Sequence, residues 1–72
     1  MFIKENLLFL RKKSNLTQLE ISKQLEISEV GYQALERKAS ASIPSVATLT
    51  KLKQIYNVSI DDLLFKDLSK EI

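Results

Sequence analysis

Apolar residues recur at three- and four-residue spacing along the whole chain, the repeat that puts side chains on one face of an α-helix, so the pattern predicts an all-α fold. Ile3, Leu7 and Leu10 form the core stripe of a first helix, and Phe2, Leu8 and Phe9 widen its apolar face beyond what one core needs. That helix is expected to end near Ser14 and Asn15. Thr17 and Glu20 then make a T-x-x-E capping box, in which hydroxyl and carboxylate each satisfy an orphan backbone donor, so a second helix is expected over about residues 18–25. Leu19 or Ile21 would turn inward together with Leu25, and Ser22 is small enough to let a neighbour approach closely. Glu26 and Ile27 make the turn, with Ile27 buried between the helices, and Ser28 caps a third helix over about residues 29–37.

At about 100° per residue, Tyr32, Leu35 and Glu36 fall on one side of that third helix and Val30, Gln33, Ala34 and Arg37 on the other. The first set is expected to face the core. The second, small and mostly uncharged, faces outward, which is unusual for a purely solvated surface. Residues 38–43, KASASI, read as a loop, and Pro44 and Ser45 open a fourth helix with Val46, Leu49, Leu52, Ile55 and Tyr56 as its stripe. Asn57 and Val58 end it. Ser59 with Asp62 is a second capping box, and a fifth helix from Ile60 turns Leu63 and Leu64 inward. No β-type alternation or hairpin dipeptide interrupts the pattern.

This gives one helical domain over residues 1–65 and a C-terminal extension, 66–72, into which the fifth helix can continue. If it does, Phe65, Leu68 and Ile72 line up as a second apolar stripe. Two readings follow: Phe65 and Leu68 fold back on Leu8 or Phe9 of the first helix, or the stripe is a two-fold dimer surface.

Seventy-two residues leave room for one domain, which buries only about 60% of its unfolded surface. Cysteine, histidine and tryptophan are absent. Disulfides, cysteine nucleophiles, thiolate or imidazole metal sites and Ser-His-Asp triads are thereby excluded, so no enzyme activity, cofactor or metal is expected. No apolar run approaches the roughly 20 residues of a membrane span, and Glu5 and Asn6 interrupt the stretch where a signal peptide would be uniformly apolar. A soluble, cytoplasmic chain is expected. The net charge of +2 is too small to argue for nucleic acid by itself, but its placement is uneven. Residues 1–58 hold nine basic and five acidic side chains, whereas residues 59–72 hold two and four.

Taken together, LRKKSNLTQLEISKQLEISEVGYQALER followed by IPSVATLTKLKQIYNVSIDDLL resembles the phage repressor and Cro-like (XRE-type) helix-turn-helix family, over about Ile3 to Leu64. The pieces that carry the resemblance are Leu10-Arg11, Leu16-Thr17-Gln18, Ile27-Ser28, Leu35-Glu36, Pro44-Ser45 and the closing Val58 to Leu64. It implies a compact five-helix, lambda-repressor-like domain acting as a bacterial or phage transcription regulator. The third helix would enter the major groove of double-stranded DNA while the start of the second sits on a phosphate. A small homodimeric repressor on a palindromic operator is the form implied, with no small-molecule ligand evident. The alternative on the same scaffold is a protein-interaction module or antitoxin component with weak or no specific readout.

Several residues then carry two readings each. Thr17 and Gln18 start a helix, and the exposed N–H groups there would also bind phosphate, with the Gln18 amide assisting. Arg37 and Lys38 favour a helix C-terminus and would also reach phosphates. Ser28 begins the reading helix. Glu29 suits a helix start and would accept from a cytosine amino group, Val30 would pack on a thymine methyl, and Gln33 would bind an adenine edge, with Ala34 beside it. Arg11 and Glu36 correspond to a partly buried salt bridge tying the first helix to the third. Glu26 stands where the family often has glycine, so a left-handed conformation there would cost roughly 1 kcal/mol.

Overall fold

Every element among the described residues is helical, and each helix begins or ends where its backbone groups find a partner other than its own ladder. The computed structural model describes residues 1–70. In order it contains α1 (Ile3–Lys13), α2 (Gln18–Leu25), α3 (Glu29–Glu36), α4 (Val46–Tyr56), α5 (Ile60–Phe65) and a closing 3-10 turn (Leu68–Lys70).

The caps come from the residues whose side chains are suited to them. At α2 both halves of the capping box are formed: the Glu20 N–H donates to Thr17 Oγ1 at 3.0 Å and the Thr17 N–H to Glu20 Oε1 at 2.8 Å. Those bonds hold the Glu20 carboxyl below its ordinary range. Ser28, Ser45 and Ser59 each accept an N–H from three residues on, from Gly31, Thr48 and Asp62. At α5 the reciprocal bond from Asp62 is not formed, so only the serine half of that expected box is present.

The ends of α1 and α2 use left-handed residues. Asn15 (φ 58°) and Glu26 (φ 59°) close α1 and α2, and in each case two bonds reach back past it: Leu16 N to Arg11 O and Asn15 N to Lys12 O, then Ile27 N to Ser22 O and Glu26 N to Lys23 O, all at 3.1 Å. Glu26 therefore does adopt the conformation that favours glycine. Lys51 of α4 donates to Leu25 O at 3.2 Å and Glu26 Oε2 at 2.6 Å, which satisfies an orphan carbonyl at the end of α2 and holds the Glu26 carboxyl below its usual range. Lys51 thus braces the turn against α4.

The core is built from Ile3, Leu7 and Leu10 of α1, Ile21 and Leu25 of α2, Tyr32 and Leu35 of α3, Leu49 and Leu52 of α4, Leu63 of α5 and Leu68. Of the two candidates on α2, Ile21 is buried and Leu19 is exposed. Ile27 is half-buried against the core rather than enclosed. Val46 does not join its stripe. It is the first residue of α4, and Thr48 and Leu49 are the first side chains of that helix that turn inward.

The largest departure is at the C-terminal end. The fifth helix stops at Phe65, and Lys66 is extended (φ −107°, ψ 138°), so the stripe of Phe65, Leu68 and Ile72 does not form on one helix. Leu68 folds back and is buried in the core, Phe65 is 63% exposed, and Ile72 lies outside the described residues. The cause is Asn6. Fully buried on the inward face of α1, its amide donates to Leu63 O at 2.8 Å and Lys66 O at 2.6 Å, while its oxygen accepts the Leu68 N–H at 3.0 Å. With the Phe2 N–H bonded to Leu64 O at 2.7 Å, α1 takes up the orphan carbonyls of α5 and sends the chain back across itself.

Lys4 does the same for α3. Its ammonium donates to Ala34 O at 3.0 Å, Leu35 O at 3.2 Å and Ser42 O at 2.7 Å, closing the end of α3 and pinning the loop that follows. Replacing it by methionine keeps the stem but removes three charge-assisted bonds. Because the group is partly exposed, the expected loss is about 1–2 kcal/mol. Urea denaturation measures the loss, and amide exchange in residues 34–42 is expected to accelerate more than that in α4.

Candidate nucleic-acid interface

The packing of α3 decides which of its side chains are free. Tyr32 and Leu35 are locked in the core, which leaves Val30 71% exposed and turns Gln33 and Ala34, both half-buried, toward the opposite side. Ser28 and Glu29 stand exposed at its start. The helix ends at Glu36. Arg37 is its C-cap, with extended backbone and an N–H donating to Gln33 O, so Arg37 and Lys38 are exposed at the head of the loop rather than on the last helical turn.

Thr17 and Gln18 lie beside this face. A shallow cleft at the start of α2 is lined by Arg11, Lys12, Asn15, Thr17, Gln18 and Glu29, so the first residues of α2 and α3 border a common surface. The capping box uses the Thr17 and Glu20 groups, and the N–H groups of Gln18 and Leu19 belong to the first turn, which has no intrahelical acceptor. A helix start of this kind attracts an anion through both its free donors and its dipole.

Beneath the surface runs an ion-pair network. Arg11 Nε donates to Glu36 Oε2 at 2.6 Å and Nη2 to Glu36 Oε1 at 3.1 Å, a two-pronged pair with both side chains largely buried. Arg11 Nη1 also holds Leu16 O at 3.0 Å, and the Gln18 amide donates to Glu36 Oε1 at 3.2 Å. One carboxylate therefore ties α1, the start of α2 and the end of α3 together. Burial pushes the Glu36 carboxyl up, but the bonds from Arg11 and Gln18, with the Tyr32 hydroxyl and the Arg11 charge close by, outweigh it and hold the group below its ordinary range. The neighbouring tyrosines go the other way. Burial, reinforced by the Glu36 charge, raises Tyr32 well above its normal value and Tyr56 to about 12.

Gly31 has an ordinary helical backbone, and a methyl group there would stand 3.0 Å from Ser28 Oγ, the oxygen that caps its own N–H. A tight fit against its cap is thus a local reason for glycine on the exposed turn of α3.

Sequence reasoning singled out the Arg11–Glu36 pair but not the third member, Gln18, in its inward role, nor Lys4 and Asn6, which position α3 and α5. Among the described residues no cluster of histidine, cysteine or carboxylate side chains has the grouping to hold a metal ion, and no helix is long and apolar enough to cross a membrane. No curated protein and no solved structure matches the chain. A helix-turn-helix family model does, over residues 7–63, a span that takes in α1 from Leu7 onward, α2 to α4, most of α5 and every hydrogen bond of the Arg11–Glu36–Gln18 network. The chain belongs to the XRE-type helix-turn-helix family of phage repressor and Cro-like DNA-binding regulators.

Proposed function

We propose that the protein is a sequence-specific repressor that binds a palindromic operator as a homodimer, reading bases with Val30, Gln33 and Ala34 and holding phosphates with Thr17, Gln18, Arg37 and Lys38. The observation that carries this reading is the division of α3. One side is fixed in the core by Tyr32 and Leu35, and the other offers an exposed Val30 beside Gln33 and Ala34. A helix held from behind presents its front in one orientation, which base readout requires.

Gln33 is the one side chain there with two-pronged base chemistry, for an adenine edge, while Val30 supplies an apolar contact suited to a thymine methyl. Ser28 and Glu29 stand at the entry to the groove. Glu29 suits a cytosine amino group and otherwise repels phosphate, so it restricts which sites are tolerated. Two copies would present their α3 helices about 34 Å apart. Phe65, exposed at the end of α5, is the apolar side chain we assign to the two-fold contact; Leu68, committed to the core, is not.

Selection of bound sites from a random duplex pool tests the reading. The expected product is a palindrome with at least about a hundredfold preference over random sequence, and a binding constant that falls with salt. Gln33→Ala is expected to weaken the preferred site by about 5- to 150-fold and to relax one position, whereas Arg37→Ala weakens all sites alike and lowers the salt slope by about one. A folded protein that binds only non-specifically, or sediments as a monomer with and without the operator, overturns the repressor reading and favours an interaction module. The absence of a second bidentate side chain on α3 gives that reading its footing.

A further inference from the structure

The first helix is apolar on two sides. Its inner stripe is in the core, yet Leu8 is 38% exposed and Phe9 is only half-buried on the outer side. These two side chains floor a groove between α1, the end of α3 and the closing 3-10 turn, rimmed by Lys12, Lys13, Lys38 and Glu5. Two further charges that reach the groove are already used: Lys4 holds the carbonyls of α3 and its loop, and Glu36 is paired with Arg11. What remains at the rim is three lysines against one carboxylate. The Lys13 ammonium lies 5.7 Å from the centre of the Phe9 ring, so it hangs over the apolar floor rather than reaching away from it.

We propose that this groove is a docking site for an acidic amphipathic helix of a partner protein, its apolar stripe covering Leu8 and Phe9 and its carboxylates meeting Lys12, Lys13 and Lys38. An apolar floor with a cationic rim selects this chemistry. A phosphate backbone would use the lysines but leave Leu8 and Phe9 in water, and an uncharged apolar segment would bury the floor but desolvate the lysines without a counter-charge. With 11 residues, α1 is about 16 Å long, which matches three turns of a helix laid along it. Docking by residues at i, i+4 and i+7 into a groove is a recurrent mode of helix recognition.

Occupancy has a consequence for DNA. Lys38 belongs both to this rim and to the phosphate contacts proposed above, so the docked helix competes with the operator. That competition, unlike the docking itself, rests on the DNA reading of Lys38.

The test uses a fluorescein-labelled peptide of about 18 residues with Leu and Phe at i, i+4 and i+7 and glutamates on both flanks, against a scrambled peptide of the same composition. Anisotropy is expected to saturate in the micromolar range for the first alone and to weaken with salt. Leu8→Glu, and separately Lys12→Glu with Lys13→Glu, are expected to weaken binding at least about tenfold, while Val46→Glu, on an exposed side chain that does not line the groove, leaves it unchanged. Thermal melts establish that each variant is folded, and Leu8→Ala serves in place of Leu8→Glu if that variant is not. No saturation, equal binding of the scrambled peptide, or indifference to the Leu8 and lysine changes overturns the proposal. So does self-association of the chain alone that Leu8→Glu abolishes, since the occupant is then a second copy. Docking without displacement of operator DNA leaves the groove assignment standing and removes only Lys38 from the phosphate contacts.

Discussion

Asn6→Leu is expected to lower the stability of the protein by about 3 kcal/mol, although it exchanges a polar side chain in the core for an apolar one of similar size. In isolation that exchange is favourable. Here it removes the amide that bonds the Leu63 and Lys66 carbonyls and the oxygen that accepts the Leu68 N–H, and the two buried groups among these, Leu63 O and Leu68 N–H, each cost about 1–3 kcal/mol when orphaned. Part of that cost is relieved because the end of α5 lies near the surface and can open to water. The opening has its own price, since Leu68 leaves the core with the segment that carries it. A chain of this length has only about 4–10 kcal/mol of stability in all. The melting midpoint is expected to fall by roughly 10–20 °C. Asn6→Asp gives a second readout: it keeps the acceptor for Leu68 but removes the donor and adds a charge. It is expected to be at least as damaging at neutral pH and partly rescued in acid, where the protonated carboxyl can again donate. A midpoint within error of the parent in both variants would show that Asn6 does not direct the return of the chain.

The same residue marks the boundary of what periodicity can see. The inward stripes of α1, α3 and α5 and the serine and threonine caps were all legible, because each is set by residues within a few positions of one another. Asn6 itself carried a usable signal. It stands three residues after Ile3 and four before Leu10, on the wheel position of the core stripe, where a polar side chain needs a buried partner. Its partners, more than fifty residues away, carried none. Lys4 and Lys51 are less visible still, since a lysine gives the same pattern whether its ammonium is in water or on a carbonyl at the end of another helix. The extension beyond Leu64 shows the converse fault. Three-and-four spacing continued through Leu68, but the carbonyls of α5 were already claimed by α1, so the backbone turned where the pattern did not.

On the candidate site, the outward residues of α3 followed from the wheel, whereas the inward bond of Gln18 did not, because an amide at a helix start fits a phosphate and a buried carboxylate equally well. With one N–H on Glu36, Gln18 keeps a second amide donor. This geometry makes the network more than a brace: the carboxylate that joins α1 to α3 also fixes the orientation of a side chain on the proposed phosphate surface.

Glu36→Gln therefore tests stability and recognition together. The substitution keeps the shape but leaves the Arg11 guanidinium, largely buried, without a counter-charge, and breaking a buried pair in this way costs about 3–5 kcal/mol. Residual access of water to Arg11 places the expected loss nearer 2–3 kcal/mol, or roughly 10–20 °C in the midpoint. The pH dependence has a definite sign. Because the folded protein holds the Glu36 carboxyl below its ordinary value, its contribution is fully present above the unfolded value of about 4.3 and is lost as pH falls through the lower, folded one. The parent and Glu36→Gln are thus expected to differ by a constant amount from pH 7 to about 5 and to converge below about 4. Arg11, Tyr32, Tyr56 and Gln18, the groups that face the carboxylate, do not titrate in that window, and the Glu20 and Glu26 contributions are common to both proteins. A paired Arg11→Met, Glu36→Leu variant removes both charges and is expected to regain most of the lost stability, as apolar replacement of a buried pair often does. It would not regain DNA affinity if Glu36 orients Gln18, since the leucine cannot accept that amide. Recovery of stability with a persistent loss of operator binding is the expected outcome, and full recovery of both would assign the network to folding alone.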